Sequence, residues 1–274
     1  MDKKELRKRE ADAFLHLLDI MDELREKCPW DRKQTIESLR PQTIEETFEL
    51  SDAIMHNDMH NIMKELGDVL LHVVFYSRIG EEKGAFNIAD VIESLCAKLV
   101  YRHPHVYAAT EVNGAEQVVQ NWEQLKTKEK DGNKTVLGGV PESLPSIIKA
   151  YRMQDKARAV GFDWEEKEQV WDKVQEEMQE FRQELEALKE SGGGDGCRSR
   201  AEGELGDLLF SIINAARLYD LNPDTALEMT NKKFRDRFTY LESKTIRQGL
   251  SLNDMTLGQM NELWEESKRM EHND

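Results

Sequence analysis

Cysteine, proline and long apolar runs are all scarce in this chain. The three cysteines, Cys28, Cys96 and Cys197, are odd in number and lack C-x-x-C spacing. They are expected to be reduced thiols of a cytoplasmic protein, neither a disulfide frame nor a zinc site. Only six prolines occur, and none interrupts an acidic motif. No run of eighteen apolar residues exists, so no membrane-spanning helix or membrane partner is expected. The charged N-terminal segment lacks the apolar core of a signal peptide. Period-two alternation is missing throughout, which leaves an all-α architecture. Positive charge is also in deficit. At −16, no nucleic-acid polymer is expected as a partner, because phosphate backbones need clustered Lys and Arg. A small anion gripped through a divalent cation stays open.

What the chain does have is an acidic helical pattern written twice. Glu45-Glu46-Thr-Phe-Glu49 is followed, sixteen residues after Glu49, by Glu65-Leu-Gly-Asp68. Glu176-Glu177-Met-Gln-Glu180 is followed, twenty-four residues after Glu180, by Glu204-Leu-Gly-Asp207. Behind each come an Asn, a Lys and an Arg at identical offsets: Asn87, Lys98, Arg102 and Asn222, Lys233, Arg237. Each copy then closes on Trp-Glu-x-x-Lys, Trp122 to Lys126 and Trp264 to Lys268. Two copies of roughly 125 residues, each of ordinary domain size, are implied. The expected division is 1–130, a linker at 131–145 rich in turn formers, and 146–274.

Helical periodicity places elements at 10–27, 43–56, 62–82, a fourth opened by Asn87, and 114–130. Copy two repeats the plan at 146–160, 166–190, 201–219, 223–243 and 256–271. Asn87 with Asp90 reads as a capping box, and Asn222-Pro223-Asp224 as a strong helix start. Ser191-Gly-Gly-Gly-Asp-Gly196 reads as a flexible helix–helix loop that accounts for the wider spacing of copy two. The apolar stripe of the third helix (Ile62, Leu66, Val69, Leu70, Val73, Val74) and the run after Glu204 predict largely buried helices.

Residues three or four apart share a helix face, so Glu46 with Glu49, and Glu65 with Asp68, point the same way. A lone E-x-x-E is ordinarily a solvated face. The whole-pattern recurrence, and the apolar helix around Glu204 and Asp207, favour acids at the edge of a core, where unpaired like charges are costly. Oxygen-only ligands in that number suit Mg²⁺ or Mn²⁺. A di-iron carboxylate bundle would need Glu-x-x-His pairs, and no histidine here has a Glu three residues before it. His72 reads as packing or hydrogen bonding, and His103-Pro-His105 alone does not make a metal site. Gly67 and Gly206 each cost a helix about 1 kcal/mol relative to Ala; a close helix or ligand approach would justify them. The cation pairs Lys98/Arg102 and Lys233/Arg237 are surface charges or phosphate contacts. The tryptophans are core residues or flat surfaces for a nucleobase.

Taken with Cys28-Pro-Trp-Asp31, Arg102-His-Pro-His-Val106 and Val160-Gly-Phe-Asp-Trp164, these motifs resemble the MazG family of nucleoside triphosphate pyrophosphohydrolases, in its tandem two-domain form. The resemblance covers most of the chain. It implies an α-helical fold that dimerises, so that helices of two subunits enclose the sites. It implies Mg²⁺ on catalytic acids Glu46, Glu49, Glu65 and Asp68, and on Glu177, Glu180, Glu204 and Asp207. Nucleotide contacts are implied for Lys233, Arg237, Trp264 and Lys268, with Lys173 a further candidate, and at the repeated positions Lys98, Arg102, Trp122 and Lys126. The implied reaction is hydrolysis of nucleoside triphosphates between the α and β phosphates, for nucleotide-pool housekeeping, with copy two as the main catalyst. The rival expectation is a helical nucleotide-sensing module that binds without cleaving. An ordinary ATPase is disfavoured by the missing P-loop.

Overall fold

The computed structural model describes residues 2–108, 112–114, 117–118, 121–122, 125–126, 135–247, 249 and 251–271. Among them lie ten α-helices and no strand, as the missing alternation predicts. The chain divides into two compact units, Met1–Val112 and Asn113–Asp274. The helix expected over 114–130 lies largely outside the described residues, and residues 131–134 of the expected linker wholly so. Among the described residues, no helix is long and apolar enough to cross a membrane.

The first unit holds α1 (Lys3–Lys27), α2 (Ile36–Met55), α3 (Met59–Glu82), α4 (Ile88–Arg102) and the short α5 (Pro104–Tyr107). The second holds α6 (Ser146–Ala159), α7 (Gln169–Glu190), α8 (Asp195–Leu218), α9 (Pro223–Arg247) and α10 (Leu257–Glu271). In each unit the two acid-bearing helices form an antiparallel pair, α2 on α3 and α7 on α8. The first core gathers Met21, Leu39, Val74, Phe75 and Ile79 from α1, α2 and α3. The second gathers Val170 and Val174 from α7 with Leu208, Ala215 and Leu218 from α8.

Several helices start earlier than periodicity placed them, each for a local reason. An Asp2/Glu5 capping box begins α1 at Lys3, seven residues ahead of the expected start at residue 10. Thr35, capped reciprocally with Ser38, starts α2 at Ile36, and the helix runs on through Pro41, which cannot donate to the Glu37 carbonyl. The loop between α7 and α8 shrinks to Ser191–Gly194. Gly192 and Gly193 take positive φ of 68° and 90° and donate their N–H groups to the Lys189 and Leu188 carbonyls, closing α7. Asp195 then opens α8, and Gly196 is helical. The repeated asparagines are caps: Asn87 accepts from Ala89 and Asp90, and Asn222 from Thr225.

The apolar stripes of α3 and α8 are only partly core. Val74 and Leu208 are buried, whereas Leu66, Leu70, Leu205 and Leu209 are 40–52% exposed. Each of these helices packs on its neighbours along one edge, and among the described residues nothing covers the other. Gly67 and Gly206 lie on these helices, and a Cβ at either would meet nothing within 4 Å. The close approach that would justify them does not come from within the described residues of the chain.

Candidate metal and nucleotide site

The i, i+3 spacing on α2 and α3, and again on α7 and α8, turns acids from both helices toward a common seam. In the first unit Glu46, Glu49 and Glu65 each offer an oxygen within 4.8 Å of the others. In the second, Glu177, Glu204 and Asp207 do the same. Asp68 and Glu180 stand outside these tight groups but near enough to act on them. Burial, then the charges of Asp68, Glu49 and Glu65, raises the Glu46 carboxyl above its ordinary value. Burial, then Glu180, Asp207 and Glu177, raises Glu204 in the same way. In both, burial is the larger cause and the crowding of like charges adds to it.

Each group contains one acid drawn deep into the fold, Glu65 at 5% exposure and Glu177 at 6%. In both units a lysine sits on that acid. Lys64 Nζ is 2.9 Å from Glu65 Oε1, and Lys173 Nζ is 2.6 Å from Glu177 Oε1 and 3.0 Å from Glu176 Oε1. Hydrogen bonds to Glu177 and Glu176 raise the Lys173 amine, so it stays cationic. Lys173 thus meets two carboxylates of its own helix. Lys64 was missed because a lysine beside a glutamate carries no periodic signal.

One lysine does not satisfy three or four acids. Glu65 Oε2 is buried without a hydrogen-bond partner, which is costly for a carboxylate oxygen. An all-oxygen donor set with one orphaned buried oxygen fits a hard divalent cation. Beside the first group lies an open pocket of about 640 Å³, lined by the acids Glu45, Glu49, Asp52, Asp58 and Glu65 together with Phe48 and other side chains.

The remaining sequence candidates divide. Arg237 stacks over Trp264, 5.8 Å from the ring centroid, and Phe234 meets the same ring at 5.3 Å. Lys126 lies 4.0 Å over Trp122. Lys268 pairs with Glu265 at 2.6 Å along its own helix. Lys98 and Lys233 are exposed, and Arg102 is half-buried in the last turn of α4. No tryptophan is fully buried: Trp30, Trp164 and Trp171 are exposed, and Trp122 and Trp264 half-buried. His72 is buried, with its Nδ1 3.0 Å from Thr43 Oγ1, a packing role as expected. His103 Nδ1 donates to the Leu99 carbonyl at 2.6 Å and so closes α4.

Comparison with known proteins decides the family. Residues 34–107, which carry the first acidic group, match the family described as MazG nucleotide pyrophosphohydrolase domain. A protein of Thermotoga maritima named nucleoside triphosphate pyrophosphohydrolase/pyrophosphatase MazG is 40% identical over 258 residues, 93% of this chain and 95% of its own length. The chain belongs to the MazG family. A nucleoside triphosphate pyrophosphohydrolase of Escherichia coli strain K12 is 37% identical over 93% of this chain and 97% of its own. The uncharacterized protein YabN of Bacillus subtilis is 44% identical over 94% of this chain, but only 52% of YabN is covered. Membership makes the chain an enzyme of the hydrolase class, and the tandem architecture matches MazG relatives spanned over nearly their whole length.

Proposed function

We propose that this MazG chain hydrolyses nucleoside triphosphates between the α and β phosphates, giving a monophosphate and pyrophosphate, as a cytoplasmic homodimer engaged in nucleotide-pool housekeeping. The observation that carries this reading is the doubled carboxylate seam with its orphaned buried oxygen. Glu46, Glu49, Glu65 and Asp68, and their counterparts Glu177, Glu180, Glu204 and Asp207, would hold Mg²⁺ or Mn²⁺. When bound, such an ion supplies charge neutralisation for the triphosphate and makes water a readier nucleophile near neutral pH. One of the seam glutamates accepts the proton that the attacking water loses. Lys233, Arg237 and Lys268, with Lys98, Arg102 and Lys126 in the other half, balance charge on the departing pyrophosphate. Lys64 and Lys173 keep the seam assembled before substrate arrives, since each neutralises its most buried acid.

Incubation with ATP and Mg²⁺ should yield AMP and pyrophosphate in equal amounts, and EDTA should stop the reaction until Mg²⁺ is restored. Product chromatography reads the outcome. ADP with phosphate would mean a different reaction, and no product at all would favour a sensor.

The bare faces of α3 and α8 support the dimer. Leu66 and Leu70 flank Gly67, Leu205 and Leu209 flank Gly206, and nothing covers them within the described residues. Exposed apolar stripes beside uncrowded glycines suit close packing of a helix from a second copy. Sedimentation should therefore find a dimer, and Leu70→Glu with Leu209→Glu should drive it to monomer at micromolar concentration. A wild-type monomer at that concentration would remove the support.

A further inference from the structure

The two seams keep their buried acid on different helices of the pair. In the first unit it is Glu65 on α3, and in the second Glu177 on α7. These are not matching positions. Glu46 corresponds to Glu177 and Glu204 to Glu65, and Glu46 and Glu204 are only half-buried. The lysines are exchanged in the same way. Counting from the Glu46/Glu177 match, Gln42 stands where Lys173 does; counting from the Glu65/Glu204 match, Gly203 stands where Lys64 does. In each unit the lysine goes with the buried acid and not with the repeat position.

The two lysines are held differently. Lys173 stands one turn before Glu177 and bridges it to Glu176, at 2.6 and 3.0 Å. Lys64 precedes Glu65 directly, so the two side chains leave α3 about 100° apart. Its stem must curl back to bring Nζ to 2.9 Å from Glu65 Oε1. The Lys64 side chain is 59% exposed, against 6% for that of Glu65. A flexible, exposed stem can let go of the acid with little loss of packing. The charge, however, is firmly set. The hydrogen bond to Glu65, then the charges of Glu65, Asp68 and Glu49, raise the Lys64 amine above its ordinary value.

The ground under this ammonium is a cation site in its own right. Glu65 Oε2 is buried and has no hydrogen-bond partner. Glu46, Glu49 and Glu65 each offer an oxygen within 4.8 Å of the others, more negative charge than one lysine cancels. The pocket beside Glu49 and Glu65 gives a hydrated ion a way in. A divalent ion there and an ammonium in contact with the same buried carboxylate would repel each other across poorly screened space. The two cations therefore exclude one another.

We propose that Lys64 is a built-in counter-cation of the first seam, which a divalent ion must displace in order to bind. The first unit is then a metal-responsive site, closed by its own lysine when free divalent ion is scarce. The proposal rests on the reading that the seams hold such an ion, and it assigns Lys64 a role at the metal and none at the substrate.

The test reads metal binding and lysine position separately, in the full-length chain. Glu204→Gln with Asp207→Asn disables the second seam, and Mn²⁺ binding to the first is followed by electron paramagnetic resonance. Adding Lys64→Met, a good helix former at an exposed position, should tighten Mn²⁺ binding about tenfold, the factor for an oxygen that its lysine occupies about nine-tenths of the time. Lys64→Arg, which keeps charge and reach, should bind as weakly as the parent. In the wild-type chain, acetylation mapped by mass spectrometry should label Lys64 slowly without metal. With saturating Mg²⁺ it should be labelled as fast as the exposed Lys33. Equal Mn²⁺ binding with and without Lys64 would overturn the counter-cation. So would tighter binding in Lys64→Met with Lys64 labelling unmoved by Mg²⁺, since the lysine would then act from where it stands. Absence of Mn²⁺ binding in parent and variant alike would instead sink the divalent-ion reading of the first seam, and the proposal with it.

Discussion

Glutamine at both Glu65 and Glu204 should lower pyrophosphate release by at least about 10³-fold, equivalent to roughly 4 kcal/mol of transition-state stabilisation lost with the ligand set. The amide keeps the shape of each side chain, so the helices should remain folded by circular dichroism. It removes the charge that the seam contributes toward a divalent cation, and one oxygen of each group. Single variants apportion the activity. Glu204→Gln should cost far more than Glu65→Gln, as expected where the second unit is the main catalyst; equal costs would mean that both seams work. A folded double variant that retains a tenth of wild-type turnover would end the assignment of these acids.

Asp163→Asn should destabilise the second unit by about 3 kcal/mol, because it leaves the guanidinium of Arg217, 3% exposed, without its counter-charge. For a unit of this size that corresponds to a fall in Tm of roughly 6–12 °C, readable by scanning calorimetry. The effect should also carry a pH signature. Burial alone would raise the Asp163 carboxyl, yet hydrogen bonds from Arg217 and the Trp164 N–H, with the charges of Arg217 and Arg158, hold it below its ordinary value. Its stabilising contribution is therefore complete above the unfolded-state value, about 3.9, and is lost as pH falls through the lower folded value. The gap in Tm between wild type and variant should stay level from pH 7 to 5 and close below pH 4. A shift of less than about 2 °C at pH 7 would mean that Asn214 and solvent suffice for Arg217.

The parts of the fold legible in the sequence are those governed by local rules. Asn87 and Asn222 announce helix starts because a capping side chain acts within three residues. The acids at Glu46, Glu49, Glu177 and Glu204 were found because i, i+3 spacing fixes a helix face before any packing is known. The misses were local contests settled by a neighbour: Pro41 yielded to the Thr35 cap, and Gly196 joined α8 once Gly192 and Gly193 had absorbed the turn.

Other features answer to no sequence rule. Leu66 and Leu205 sit in stripes that read as core but are exposed, since a stripe records which face is apolar and not how much of it a partner covers. Lys64 on Glu65, and Arg217 on Asp163, are pairings of side chains from ordinary-looking positions.

By itself, then, the sequence determined an all-α tandem repeat and which acids face one another, because helical periodicity and capping act over a few residues. Only the tertiary structure decided which acid in each seam is buried and which lysine balances it. Those outcomes depend on side-chain volumes at positions far apart in the chain. Glu65 and Glu177 are buried while Glu49 and Asp207 stand exposed on the same seams, and only packing reveals which acid goes inside.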